Sequence, residues 1–536
     1  MAKLKYPVDR QTFSKIIEDN CVYVDKTDLV YKMTSDYNYV FLSRPRRFGK
    51  SVLCSTLKEY FDGNKDLFKG LKIAELEKEW IKYPIIHLDF SSCKTTDLRV
   101  IKKYLSRLLA EYEHLYSLIS DEDYNAQIKA EKEIDDISNI RLQNIINAAF
   151  QQTGRKSVII IDEYDALMLN AIHDDKLQDK IREQMNNLFS PLKQLDPKIR
   201  FVFITGITKF SQMSIFSALN NLKDISLMPE YESVCGISMD EFLTQLKQGI
   251  QTFADFNGYT FEQTVKYFKV KYDGYHFSPK LQDIFNPYSV INALNEKTFN
   301  DYWFDSGTPT SLLKLINKFD IKMEDYDNIE CVPSRFKKPV ERVTDIVPFL
   351  YQSGYLTIKD YKSVVYNDNP TQLYILGYPN NEVRVALADS LFQNYYKVND
   401  TNYLRNAFFE FSVNENLTPF MESLKKFFRR FPFSLNNMNE KHYHSILYTV
   451  LTSFAANVTA NVETALGKSD LLLRLPKKNY IIELKYEQSV KSALDQIDDR
   501  DYKAALLEED KPIVKLAITF SSQTRTIADW KTEEVR

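Results

Sequence analysis

The stretch Tyr39–Ser51, YVFLSRPRRFGKS, decides how this chain is read. An apolar run suited to a strand gives way to a turn-forming segment and then to Gly49-Lys50-Ser51 at the head of an amphipathic run, in the order strand, turn, helix. Unpaired backbone N–H groups at the start of such a helix favour an anion, so Phe48-Gly49-Lys50-Ser51 reads as the end of a phosphate-binding loop. A full loop of this kind carries a glycine five residues before Gly49, where Arg44 stands instead. Alone, a Gly-Lys-Ser tripeptide is equally a lysine and a serine at an ordinary helix start. Arg44, Arg46 and Arg47 either clamp phosphates or form a solvated basic loop.

The surroundings weigh in favour of the loop. Val158–Ile161 is continuously apolar, as a strand buried on both faces must be, and it ends in Asp162-Glu163. Carboxylates there stand at the sheet edge where ligands bind. In that position Asp162 holds Mg²⁺ beside the Ser51 hydroxyl and Glu163 polarises the attacking water; the alternative is that both cap the next turn. A third strand, FVFIT, ends at Thr205-Gly206, which places a polar group to sense a γ-phosphate, with Lys209 the candidate basic group after it. Strands are expected at Tyr39–Ser43, Ile85–Phe90, Ser157–Ile161 and Arg200–Thr205. Helical patterns lie between them at Ser51–Phe61, Leu98–Leu118, Ile140–Gln152 and Lys176–Leu192, and the charged stretch Asp121–Asp136 reads as an exposed insertion. Alternation of this kind predicts an α/β fold with a mainly parallel sheet.

With 536 residues the chain exceeds one core, and the pattern shifts predict an α/β domain at 1–235, a mostly helical middle domain at 236–397 and a smaller α/β domain at 398–536. A composition of 44% hydrophobic and 27% charged residues excludes a disordered or fibrous class. Seventy basic against seventy-three acidic residues leave no global positive field, so any nucleic-acid contact must be local. Five cysteines with no CxxC pair and six histidines with no HExxH argue against a disulfide framework or a thiolate/imidazole zinc site. MAKLKYPVDR has no apolar leader, and no apolar run is long enough to span a membrane, so a cytoplasmic protein is expected. Only 13 residues are glycine, against an average near ~7%, so those present mark positions where the backbone needs them.

A second constellation lies in VETALGKSDLLLRLPKKNYIIELKY, 462–486, where Asp470 is followed by Glu483 and Lys485. With Pro476–Asn479 as the loop and Leu475 opposite Tyr480, Asp470 faces Lys485 and Leu472 faces Glu483. Side chains two apart share a face, so Asp470, Glu483 and Lys485 project together, and Leu471, Leu473, Leu475, Tyr480, Ile482 and Leu484 form an apolar opposite face. Two carboxylates suit Mg²⁺, which activates water against a phosphodiester, and the lysine orients that water or offsets developing charge. The plainer alternative is a solvated hairpin with an Asp470–Lys485 cross-strand pair. LKKFFRRFPF, 424–433, reads as an amphipathic helix with buried phenylalanines in preference to a nucleic-acid surface.

The segments NCVYVDKTDLVYKM, FLSRPRRFGKSVLCSTLKEYFDG, IIIDEYDAL, TGITKF, YDGYHF, NPYSV and LYQSGYLTI resemble the bacterial predicted AAA-ATPase-like family. That family carries RPRRFGKS itself, and its members commonly end in a PD-(D/E)XK nuclease-like domain, which the Asp470…Glu483-x-Lys485 stretch resembles. The resemblance implies a P-loop NTPase domain of AAA/ASCE-like build, with Arg46, Arg47, Phe48, Gly49, Lys50 and Ser51 around ATP and magnesium at Ser51 and Asp162. It further implies a restriction-endonuclease-like domain with Asp470, Glu483 and Lys485 catalytic and magnesium on the two acids. Glu463 matches an upstream acidic position, Lys468 stands where the family often has arginine, and Gln496 falls on the following helix where a supporting polar residue is expected. The activity implied is an ATPase coupled to a Mg²⁺-dependent DNA endonuclease. The alternative is a nucleotide-dependent switch whose nuclease-like domain binds without cutting.

Overall fold

The computed structural model describes residues 4–128, 138–209, 219, 221–305, 312, 315, 318–319, 321–340, 343–396, 398, 400–430, 439–464, 466–506 and 509–535. The chain forms two compact units, Met1–Gly307 with Glu330–Asn380, and Thr308–Ile329 with Asn381–Arg536. The segment 236–397 is thus shared between them.

The first unit is built on a parallel sheet of β1 Tyr39–Ser43, β2 Ile85–Asp89, β3 Ser157–Asp162, β4 Ile199–Gly206 and β5 Lys223–Asp224, in the order β2-β3-β4-β1-β5. Parallel neighbours need crossovers, and helices α1 Lys50–Phe61, α2 Leu98–Leu115, α3 Ser138–Thr153 and α4 Asp175–Phe189 supply them. Ile101, Leu105 and Leu109 recur every fourth position of α2 and pack with Leu142, Ile145, Ile181 and Met185 against Ile159 and Ile161 of β3. Val158–Ile161 are wholly buried, each burial contributing roughly 1.5–3 kcal/mol, because α1 covers the other face. Of the expected insertion, Asp121–Ile128 forms a helix, and 129–137 lie outside the described residues. The order places β4 between β1 and β3, so Ser43, Asp162 and Gly206 end their strands along one edge.

Helices Met239–Gln245, Lys247–Asn257, Phe261–Tyr272 and Pro287–Glu296 follow, gathered around Phe242, Phe253, Phe268 and Phe285. Within this helical region stands an antiparallel hairpin not anticipated from the sequence, β6 Thr357–Tyr366 and β7 Asn369–Gly377.

The second unit holds a mixed sheet in chain order, β8 Asn457–Thr464, β9 Gly467–Arg474, β10 Asn479–Tyr486, β11 Ile513–Ser521 and β12 Thr526–Glu534, antiparallel throughout except where β10 meets β11. Among the described residues, α5 Asn402–Asn414, α6 Leu417–Phe428, α7 Glu440–Ser453 and α8 Val490–Asp499 flank it. Phe427 and Phe428 of α6 are buried, with Lys426, Arg429 and Arg430 exposed, as the amphipathic reading of LKKFFRRFPF requires; 431–433 lie outside the described residues. Among the described residues no helix is long and apolar enough to cross a membrane.

Candidate active sites

Gly49 has φ +90° and precedes α1, a backbone state in which a side chain is strained, so glycine here serves the loop's shape. Arg44 does not clamp phosphate. It is 1% exposed, and its guanidinium donates to the carbonyls of Ser43 (2.9 Å), Ser226 (2.7 Å), Tyr231 (3.1 Å) and Glu232 (3.4 Å) while lying 4.2 Å from the Phe277 ring centroid. The position that a full loop gives to glycine thus anchors the loop from within. The Arg46 carbonyl accepts from Trp303 Nε1 at 3.2 Å, and the Arg47 guanidinium lies 4.7 Å from the Tyr288 ring centroid. Phe48 is buried edge-on against Tyr275 and Phe277, its centroid 4.8 and 5.3 Å from theirs. Lys50 is buried too, and Nζ donates to the carbonyls of Arg44 (3.1 Å) and Pro45 (3.0 Å).

Across the edge, Asp162 is 2% exposed, its Oδ1 accepts from the Glu163 amide at 2.9 Å, and its carboxylate is hydrogen-bonded to the Ser51 side chain. Burial raises the Asp162 carboxyl while the Ser51 hydrogen bond and Lys50 oppose the shift; burial raises Glu163 as well, again against Lys50. Glu163 has φ +50°, a left-handed conformation that costs a non-glycine residue of order 1 kcal/mol. Thr205 and Lys209 are otherwise engaged. The Thr205 hydroxyl donates to Leu42 O at 2.7 Å, and Lys209 forms an ion pair with Asp224. Two carboxylates escaped the sequence reading, although the strand-end rule marks the first of them. Asp89 ends β2 directly beside Asp162, and buried Asp165 accepts from the Ile207 (3.0 Å) and Thr208 (2.6 Å) amides, which leaves no room for a side chain at Gly206.

In the second unit the hairpin register differs from expectation by two residues. Leu473 lies opposite Tyr480 and Arg474 opposite Asn479, which extended by pleat places Asp470 opposite Glu483 in place of Lys485. A two-residue shift preserves side-chain parity, so Asp470, Glu483 and Lys485 remain on one face. That face is not the open side of a solvated hairpin. Leu472 and Ile481 share it and pack under Ile497 of α8, Tyr502 and Leu506, so β10 is covered on both faces. Glu483 is 1% exposed; its Oε1 accepts from Lys485 Nζ at 2.9 Å and from Gln496 Nε2. Its Oε2 is buried with no hydrogen-bond partner among the described residues. Asp470 Oδ2 accepts from the Leu484 amide at 2.8 Å, and the His444 ring contacts Asp470 O at 3.0 Å. Gln496 therefore reaches the site, whereas Glu463 lies exposed opposite Lys468 on β8. His444, and Glu440 with its carboxylate 3.8 Å from Lys485 Nζ, are neighbours that the sequence pattern did not single out.

Burial raises the Glu483 carboxyl to about 7, the Asp470 charge adds to the shift, and Lys485 opposes it. Asp470 is raised as well, by burial first, against the Leu484 amide. Burial works to lower Lys485, and the charge and hydrogen bond of Glu483, with the charges of Glu440 and Asp470, together outweigh it and hold the ammonium up. A bare, proton-holding carboxylate oxygen beside a second acid fits a hard divalent cation, which these two carboxylates would hold. Protons compete for that oxygen below about 7, so apparent Mn²⁺ affinity is expected to rise up to ~10-fold per pH unit toward 7 and flatten above it. Calorimetric titration at pH 6, 7 and 8 checks this. Without metal, the raised carboxyl contributes stability below its ordinary value of 4.5 that is lost as the pH rises through about 7.

A parallel sheet whose loop strand is separated by one strand from its acidic strand defines an α/β domain of P-loop-like build, and the mixed sheet with Asp470, Glu483 and Lys485 on one face defines a nuclease-like domain. Comparison with known families agrees: residues 7–216 match the family model described as Predicted AAA-ATPase, and residues 438–530 match the PD-(D/E)XK nuclease superfamily. The chain carries an AAA-ATPase-like domain followed by a PD-(D/E)XK nuclease superfamily domain. It is similar over the full length of both chains, at 27% identity, to an Azotobacter chroococcum mcd 1 protein described as an uncharacterized protein in the vnfD 5' region. No solved structure matches it.

Proposed function

We propose that the protein binds and hydrolyses ATP in its first unit and cleaves DNA phosphodiesters in its second, with Mg²⁺ at both sites. The observation that carries the cleavage reading is the buried Glu483 Oε2, without a hydrogen-bond partner among the described residues, beside Asp470 and Lys485; the ATP reading is supported by Lys50 and Ser51 at the start of α1 facing Asp162. Magnesium, when bound, supplies charge against phosphate oxygens and acidifies water. Ser51 with Asp162, and Asp470 with Glu483, would hold it. The start of α1 offers backbone N–H groups to the nucleotide phosphates, Lys50 turns its ammonium from the Arg44 and Pro45 carbonyls toward them, and Glu163 takes a proton from the attacking water. In the second unit Gln496 fixes the Glu483 carboxylate, and Lys485 sets a positive charge beside it to meet a phosphoryl oxygen.

Purified protein incubated with plasmid and linear DNA, with Mg²⁺ or Mn²⁺ and with or without ATP, tests the reading. Metal-dependent cleavage supports it; no cleavage under any condition leaves a nucleotide-dependent switch. Lys50→Ala is expected to weaken ATP binding about 10- to 100-fold, the worth of charge-assisted hydrogen bonds of roughly 1.5–3 kcal/mol. Fluorescent-nucleotide titration beside a thermal melt checks it, and equal affinity in the variant ends the phosphate-loop reading.

A further inference from the structure

Behind the phosphate loop three side chains of different chemistry converge. Cys54 follows Lys50 by one turn on α1, His87 stands at the centre of β2, and Asp162 ends β3. β2 and β3 pair with His87 beside Ile160 and Asp89 beside Asp162, so His87 and Asp162 project from the same face, the one α1 covers. The Cys54 sulfur, a His87 ring nitrogen and an Asp162 carboxylate oxygen all lie within 4.8 Å of one another. A tetrahedral ion with bonds of about 2.0–2.3 Å holds its ligands roughly 3.5 Å apart, so side-chain movements of about 1 Å bring the three onto one ion. Cys54 is fully buried and Asp162 nearly so. His87 Nε2 is buried with no hydrogen-bond partner among the described residues, an orphaned donor or acceptor that an ion would satisfy. Asp89, Lys50, Lys58 and Cys235 complete the titratable surroundings.

The donor set selects the ion. Magnesium and calcium take oxygen ligands, whereas sulfur, imidazole and carboxylate together suit zinc and its thiophilic neighbours. We propose that Cys54, His87 and Asp162 form a binding site for Zn²⁺ or a similar thiophilic divalent cation, with a fourth position left to water. Binding releases the Cys54 thiol proton to solvent and ties up Asp162, so the occupied site withholds that carboxylate from the magnesium of bound nucleotide. Zn²⁺ is then an inhibitor of nucleotide turnover. This second half rests on reading Lys50, Ser51 and Asp162 as the nucleotide site; the metal site itself does not.

Co²⁺ is the probe, because a bound thiolate gives it an intense near-ultraviolet charge-transfer band. Wild-type protein should take up one Co²⁺ per chain with that band, and Zn²⁺ should displace it. Cys54→Ser should abolish the band, and His87→Gln should weaken affinity by at least the roughly 10- to 100-fold that loss of a supporting partner alone costs. Cys93→Ala should bind as wild type does, and circular dichroism confirms that each variant is folded. Absence of the band in wild type, or an equal band in Cys54→Ser, overturns the site. ATP turnover with excess Mg²⁺ tests the second half. One equivalent of Zn²⁺ should slow wild type and spare Cys54→Ser, and equal turnover with the site loaded overturns inhibition. If wild type binds no ATP, the nucleotide reading and the inhibition fall together, and the cobalt band still decides the metal site.

Discussion

DNA cleavage by the Asp470→Asn variant is expected to fall about 10³-fold or more while its ATP binding stays at the wild-type level. Asparagine keeps an oxygen for the Leu484 amide, which Asp470 Oδ2 accepts from at 2.8 Å, and removes the charge that would share a cation with Glu483. Transition-state stabilisation by a divalent ion is worth several kcal/mol, and about 4 kcal/mol corresponds to ~10³ in rate. Asp470→Ala is the harsher comparison, since it also strands a half-buried backbone N–H at a cost of roughly 1–3 kcal/mol. ATP binding is spared because Lys50, Ser51 and Asp162 belong to the other compact unit. Plasmid nicking, nucleotide titration and thermal melts on the same preparation check the prediction. Loss of both activities with a cooperative loss of stability would make the acid pair structural.

Glu163→Gln is expected to leave ATP affinity unchanged and to slow hydrolysis about 10²-fold or more, the lower end of what a positioned base contributes. The exchange preserves shape and the backbone hydrogen bond from the residue 163 amide to Asp162 Oδ1, and it removes the basic oxygen. Burial holds that carboxyl above its ordinary value, which suits proton acceptance near neutral pH. Single-turnover phosphate release measured beside nucleotide affinity separates the two effects. Unchanged turnover would pass the role to another group, Asp89 first among them, because it ends the strand beside Asp162. Glu163→Gly should also lose turnover yet gain stability of order 1 kcal/mol, since glycine occupies the left-handed conformation without strain.

Four of the five strands of the first sheet and the helix after the loop were legible within one or two residues at each end, because their signals are local: apolar runs, a 3.6-residue period and Gly49 at the turn; the two-residue strand Lys223–Asp224 carries no such signal. In the second unit Asp470, Glu483 and Lys485 share one face as the sequence reading expected, in a register two residues from the expected one. Arg474 and Asn479 are held opposite each other by the two oxygens of Glu509, at 2.6 and 2.8 Å, a residue thirty positions downstream that no turn rule consults. Period-two alternation survives a slip of two, which is why the acids and lysine still met. The apolar company of that face was not legible, because Ile497, Tyr502 and Leu506 arrive from outside the hairpin. The strands Thr357–Tyr366 and Thr526–Glu534 were missed for a related reason: their exposed charged and polar residues give no clean alternation. Gln496 was found by family pattern, and Cys54 and His87 emerge as partners only when α1 lies across β2.

Arg44 changes how sequence variants of this protein should be interpreted. Its guanidinium binds the loop before α1 to the main chain of Ser226, Tyr231 and Glu232, and its stacking partner is Phe277. Substitutions that shift those segments propagate through one buried side chain into the loop proposed to cradle the nucleotide. In a genetic screen they would be scored as catalytic lesions although none touches substrate, and second-site suppressors would gather around Arg44 rather than around Lys50.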